Sequence, residues 1–351
     1  MRAMRLDRPA PMQRGATPLT PADVSAPAPG PGELLVRVSV CGVCRTDLDV
    51  VEGRIVAPRY PVIPGHQVVG RVASIGPDTT GFDEGQRVGI AWIHSACGHC
   101  RWCLAGSENL CPDFRSTGCD TDGGYAEYTV VPAAFAYPLP DELTDTAAAP
   151  LLCAGAIGMR SLRLTNLADG EPLGLVGFGA SAHLVLQIAR HRYPASPVFV
   201  FARNPDERAF ALELGATWAG DLTDDPREHM AAIIDTTPAW TPVVNALARL
   251  APGARLVINA IRKSRKDQDA LLGLDFATHL WKEREIKSVA NVTREDVRQM
   301  LDVARALDLR PTVEELTLDQ ANAALARLAE ARAVRGATVL RVTPERAGAQ
   351  G

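Results

Sequence analysis

The sequence predicts an α/β protein with two domains, one mostly β and one a doubly wound parallel sheet. Three observations carry this. The first 150 or so of the 351 residues are rich in proline and glycine and hold short runs of alternating apolar and polar residues, the pattern of strands joined by turns. From about residue 155 the pattern changes to apolar strands alternating with helical segments, which implies a parallel sheet covered on both faces. Within the first region, four closely spaced cysteines mark a metal loop.

In the first region, APAPGPG (26–32) is a turn-rich approach to the strand ELLVRVSV (33–40). VVGRVASIG (68–76) and YAEYTVV (125–131) are further strands, and no long amphipathic helix interrupts them. In the second region, PLGLVGF (172–178), SPVFVFA (196–202), MAAIIDTT (230–237), ARLVINAI (254–261) and IKSVANV (286–292) are the strands. SAHLVLQIARHR (181–192), PDERAFALELG (205–215), VVNALARLA (243–251) and ATHLWKERE (277–285) are the expected helices, the second closed by its glycine. The tail differs again: strands PTVEELTL (311–318) and GATVLRV (336–342) bracket the helix DQANAALARLAEARA (319–333). The expected boundaries are 1–154, 155–292 and 293–351.

The chain has 46% hydrophobic and 22% charged residues and a net charge of −4, so it can build a core and offers no basic surface for nucleic acid. No apolar run reaches the roughly 18–20 residues of a membrane span. The start MRAMRLDRPAP lacks the apolar stretch of a secretion signal. A reduced, cytoplasmic setting is expected.

There are eight cysteines. Cys97, Cys100, Cys103 and Cys111, in CGHCRWCLAGSENLC, supply four thiolates within one loop, which suits a closed, structural Zn²⁺ site. Two disulfides are the other option, disfavoured in a reducing compartment. Among the rest, Cys44 in CGVCRTD, His66 in PGHQVVG and Cys153 in PLLCAGAIG make two thiolates and one imidazole. Three protein ligands with a fourth position open is the composition of a catalytic zinc site. Gly65 allows close backbone approach beside His66, and Asp47 stands ready to orient the imidazole.

Gly177-Phe178-Gly179-Ala180-Ser181-Ala182 follows a strand and opens a helix. It fits G-x-G-x-x-G/A, the Rossmann turn whose backbone and helix N-terminus receive a pyrophosphate. An NAD site usually places an acid at the end of the next strand. Here Ala202 and Arg203 stand there, and a guanidinium can pair with a 2′-phosphate. NADP(H) is therefore favoured over NAD(H).

CGVCRTD, PGHQVVG, the cysteine loop, GGYAEY (123–128), PLLCAG and the turn at 177 together resemble the zinc-dependent medium-chain alcohol dehydrogenases over nearly the whole chain. The tract VGIAWIHSACGHC (88–100) is similar to that of the bacterial and yeast-like enzymes, the cinnamyl-alcohol-dehydrogenase-like branch being the alternative. The resemblance implies a GroES-like mostly-β catalytic domain, to which the tail returns, joined to a Rossmann domain. It implies alcohol and aldehyde interconversion with NAD(P)(H), two zincs, and a homodimer or homotetramer. It also implies that Thr46 takes the hydroxyl proton, that Arg45 contacts the pyrophosphate, and that Trp92 and Ile93 line the substrate pocket. Two positions depart from the family pattern. Gln67 replaces a glutamate, leaving a two-thiolate Zn²⁺ site formally neutral. Asp49 replaces the histidine that ends the proton relay, so protons could leave through Asp49, water or the ribose. An alternative on the same fold is an NADPH-dependent reductase of an activated alkene or imine, although zinc-free relatives lack both cysteine sets. A zinc-binding interaction protein would need a basic surface, and the loop carries Glu108 and Asp113 beside Arg101.

Overall fold

The computed structural model describes residues 1–330 and 336–343. The chain forms two compact units: residues 1–153 with the described residues from 292 on, and residues 154–291.

The first unit opens with an antiparallel pair, β1 (Arg2–Leu6) and β2 (Leu19–Asp23). The strand β3 (Glu33–Val43) alternates buried and half-buried residues through ELLVRVSV, the period-2 signature read in the sequence. It leads into a short helix, α1 (Arg45–Val51), and is the hub of the main sheet. Antiparallel to it run β4 (Gln67–Ile75) and a later strand, while β5 (Arg87–Ile90) extends the sheet from β4. A small ladder joins β6 (Ile93–Ser95) to β7 (Arg115–Ser116), with the one-turn helix α2 (Arg101–Leu104) between them. Next come β8 (Tyr128–Pro132), which is the later strand paired with β3, and β9 (Ala136–Pro138), paired with β5. β8 is shorter than YAEYTVV because residues 125–127 answer to β1: Met4 N donates to Tyr125 O at 2.8 Å and Glu127 N to Arg2 O at 3.1 Å. The helix α3 (Asp145–Pro150) closes this part.

In the second unit, α4 (Ala156–Leu164) precedes β10 (Leu173–Val176), α5 (Ala182–Arg192), β11 (Val198–Phe201), α6 (Pro205–Glu213), β12 (Trp218–Gly220), β13 (Met230–Asp235), α7 (Thr241–Ala248), β14 (Leu250–Ile258) and β15 (Glu285–Ser288). The six strands are all parallel, in the order β12-β11-β10-β13-β14-β15. The order reverses between β10 and β13, so the crevice at their carboxyl ends is the switch point where ligands bind such sheets. A core of Val176, Phe199, Phe201, Ile233, Leu247 and Leu256 fills one face.

Besides the elements that the sequence reading does not name (β1, β2, β5, β6, β7, β9, β12 and α1 to α4), two longer segments differ from it. ATHLWKERE forms only a five-residue π-turn, Phe276–Leu280. Lys282 and Glu283 take positive φ (70° and 61°), which ends any helix there. Conversely, α8 (Arg294–Ala306) is an unforeseen helix of the first unit. Thr293 caps it by accepting from Asp296 N at 3.2 Å, and Asp296 accepts from Thr293 N at 2.8 Å. Its buried stripe is Val297, Met300, Leu301 and Ala304. The tail then adds β16 (Val313–Thr317), α9 (Ala321–Ala329) and β17 (Ala337–Arg341), with β17 pairing antiparallel to β3. Residues 331–333 of the expected tail helix, and 344–351, lie outside the described residues.

Candidate active site

The loop at 97–111 gathers its four thiols around one point. Cys97 Sγ and Cys103 Sγ are 3.9 Å apart, and Cys100 Sγ and Cys103 Sγ 3.6 Å. A tetrahedron with 2.3 Å zinc–sulfur arms has edges of roughly 3.8 Å, so the thiols stand at metal-ligand spacing. Backbone N–H groups point at the sulfurs, Cys97 N at Cys111 Sγ and Cys100 N at Cys97 Sγ, each 3.4 Å. Backbone donors from His99 and Cys100 lower the Cys97 thiol to about 6, while desolvation raises Cys103 to about 12. All eight cysteines are free thiols.

The second constellation lies in the same unit. Cys44 caps α1, its sulfur accepting from Thr46 N at 3.3 Å. Asp47, three residues on, accepts from Cys44 N through Oδ2 at 2.8 Å. Its Oδ1 takes His66 Nδ1 at 2.9 Å. One buried carboxylate thus fixes two of the three candidate ligands. His66 enters β4 behind Gly65, whose φ of +98° and contact with the Tyr125 ring leave no room for a side chain. Cys153 sits in the π-turn Leu151–Gly155 after α3, a local irregularity common at functional sites.

With Nδ1 committed to Asp47, His66 Nε2 faces Cys44 Sγ and Cys153 Sγ at 3.3 Å each. This approaches the roughly 3.6 Å edge of a zinc site with sulfur and nitrogen ligands. The donor set therefore fits a zinc ion. In the polypeptide itself, the hydrogen bond from Cys153 and the nearby His66 lower the Cys44 thiol to about 5, against burial. That bond raises Cys153 well above its usual range, as burial also does. Burial opposes a charge on His66, but the Asp47 carboxylate and the Cys44 thiolate raise it to about 10.

Around this centre, Thr46 is half-buried and Arg45 exposed at the start of α1. The Trp92 ring meets the His66 ring edge-on at 5.0 Å. Gln67 is buried beside Gly42, and its Nε2 has no hydrogen-bond partner among the described residues.

Two further expected site residues are buried. Ile93 is fully buried at the start of β6. Asp49 is 1% exposed and its carboxylate is held by Arg54. Sequence reasoning missed Tyr125, whose ring backs Gly65 and whose phenol is raised well above its usual range by burial and by Asp47. Its signal was present in GGYAEY.

In the second unit, Gly177 has φ +80° and donates from N to Phe201 O at 2.8 Å. A Cβ there would strike Thr236 Oγ1 at 2.9 Å, whereas nothing lies within 4 Å of one at Gly179. Ala180 follows on the open side, and Ala182 begins α5 fully buried. At the end of β11, Ala202 is buried and Arg203 exposed. Half-burial raises Glu207 against the pull of Arg203.

Residues 30–141 match the alcohol dehydrogenase GroES-like domain. Over 97% of both chains the sequence is 45% identical to the Mycobacterium tuberculosis (strain CDC 1551 / Oshkosh) protein described as "Probable alcohol dehydrogenase AdhA". A cinnamyl alcohol dehydrogenase structure from Sorghum bicolor covers 97% of each chain with a TM-score of 0.81 and 28% identity. A thermostable alcohol dehydrogenase from Pyrobaculum aerophilum, solved with cobalt and zinc bound, gives 0.84 at 25% identity over 97% of this chain and 99% of its own. The chain belongs to the zinc-dependent medium-chain alcohol dehydrogenases, NAD(P)-dependent oxidoreductases that interconvert alcohols and aldehydes or ketones by hydride transfer. Among the described residues no helix is long and apolar enough to cross a membrane.

Proposed function

We propose that this dehydrogenase acts on small primary, aromatic or allylic alcohols and aldehydes, prefers NADP(H), and holds two zincs per chain. The observation that carries this is the convergence of Cys44 Sγ, Cys153 Sγ and His66 Nε2 on one point. Three corners of a tetrahedron are filled by protein and one is left for substrate. Cys44, His66 and Cys153 would hold the catalytic zinc, and Cys97, Cys100, Cys103 and Cys111 the structural one. When bound, zinc supplies a Lewis acid that lowers the pKa of an alcohol hydroxyl. The nicotinamide supplies the hydride acceptor or donor.

The remaining chemistry falls to side chains. Asp47 keeps the proton on His66 Nδ1, so Nε2 stays a lone-pair donor. Thr46 takes the substrate hydroxyl proton and passes it to water or the ribose. Trp92 narrows the pocket wall and selects small or flat substrates. Gln67 adds no charge, so two thiolates on a divalent ion leave the centre formally neutral. The first unit is the catalytic domain. The second binds the dinucleotide, with Gly177, Gly179, Ala180 and Ala182 receiving the pyrophosphate. Ala202 leaves room for a 2′-phosphate and the exposed Arg203 pairs with it.

Among the described residues β15 is an edge strand paired on one side only, and its four residues, like Phe276 and Trp281, are exposed. Bare strand edges seek partners, which supports a homodimer or homotetramer joined partly there. Eight free thiols support a cytoplasmic location. The test is a panel of alcohols and aldehydes run with each nicotinamide cofactor. One charge-assisted contact is worth roughly 1.5–3 kcal/mol, so kcat/KM should favour NADPH about ten- to a hundredfold, and Arg203→Ala should erase most of that. Preference for NADH would overturn the assignment of Arg203.

A further inference from the structure

The loop after β13, residues 236–240, lies at the switch point of the parallel sheet. It touches the dinucleotide turn: a Cβ on Gly177 would meet Thr236 Oγ1 at 2.9 Å and Thr237 Cγ2 at 3.0 Å. Whatever fixes this loop fixes the wall that faces the turn.

The fixing group is a buried ion pair. Asp235, the last residue of β13, is fully buried, and the Lys263 side chain is 8% exposed. The Lys263 ammonium donates to Asp235 Oδ2, to Thr237 O at 2.8 Å and to Ala239 O at 2.9 Å. All three of its donors are used. Asp235 Oδ1 takes Thr237 N at 3.1 Å and Thr237 Oγ1 at 2.7 Å. Two neighbours on the Lys263 side tie the same loop: Ser264 N donates to Pro238 O at 2.6 Å, and Asp267 Oδ2 accepts from Trp240 N at 2.8 Å. The segment after β14 is thus strapped over the segment after β13, with the ammonium gathering carbonyls as a bound cation would.

We propose that the Asp235–Lys263 pair is a latch that positions loop 236–240 as one wall of the dinucleotide crevice; the inference rests on the cofactor reading above. Replacing a buried ion pair by neutral groups is often tolerated for stability, whereas removing one partner is not. A latch and a merely stabilising pair therefore give different double variants.

The test uses the zinc-loaded full chain with NADPH as the probe. Lys263→Met should weaken NADPH binding in fluorescence titration by about tenfold or more, with the loss in KM rather than in kcat at saturating cofactor. Combined with Asp235→Asn, it should regain thermal stability while NADPH binding stays weak. Recovery of NADPH affinity along with stability in the double variant would overturn the latch, as would wild-type affinity in Lys263→Met. If wild-type protein bound neither NADPH nor NADH, the cofactor reading itself would fall, and the latch with it.

Discussion

The two thiol centres of the first unit solve different problems. The loop at 97–111 draws all four candidate ligands from one short stretch, steadies them with backbone N–H groups, and leaves no corner free. The Cys44–His66–Cys153 centre draws its ligands from a helix cap, a strand entrance and a π-turn. It uses a carboxylate to aim its imidazole and leaves one corner open. A closed set holds the fold together; an open set with an oriented base can do chemistry.

That contrast can be broken first at Thr46, which has no counterpart in the cysteine loop. Thr46→Ala should slow single-turnover hydride transfer by roughly 10²–10⁴, the usual worth of a general acid–base group. An unchanged rate would remove Thr46 from the proton path.

Protonation sharpens the contrast next. His66 is raised to about 10 and Cys153 is raised as well, while Cys44 is lowered to about 5. Between those two values, zinc binding at the open centre must expel two protons, one each from His66 and Cys153. Lower pH therefore weakens binding, and zinc affinity should rise about a hundredfold per pH unit through that window. Chelator competition at several pH values reads the slope, and a pH-independent affinity would contradict these protonation states.

Asp47→Asn removes the carboxylate that aims His66. Loss of such a partner typically costs about 10–100-fold in metal affinity or activity. Zinc titration of the open centre, with circular dichroism as a control for folding, checks it.

The smallest effect on turnover belongs to the closed loop. Cys103→Ser should leave kcat per folded molecule within a few-fold, yet lower Tm by on the order of 10 °C, because structural zinc contributes folding energy. A variant with native Tm and no activity would invert the roles of the two centres.

Both clusters of candidate ligands that the structure gathers were legible in the sequence, for different reasons. CGHCRWCLAGSENLC closes locally, so its spacing alone bears the geometry. Cys44, His66 and Cys153 could be grouped only by their chemistry, since their meeting depends on β3, β4 and α3. β10, β11, β13 and β14 were legible because they are apolar runs, whereas β12 is a three-residue strand that the sequence reading did not name and β15 is exposed and covers only the start of IKSVANV. Helix α8 was missed although Thr293 and Asp296 form a capping box ahead of an apolar stripe, the standard start signal. The Asp235–Lys263 contact spans 28 residues, and only the packing of two loops brings it about.

The central claim is that the Cys44–His66–Cys153 centre does the chemistry and the cysteine loop does not. The most direct measurement is zinc content and turnover of Cys153→Ser, made side by side on folded protein. The account expects one zinc per chain, a Tm near that of wild type, and turnover lowered by at least about a thousandfold, since the metal's Lewis acidity is worth several kcal/mol. Two zincs with wild-type turnover would contradict it.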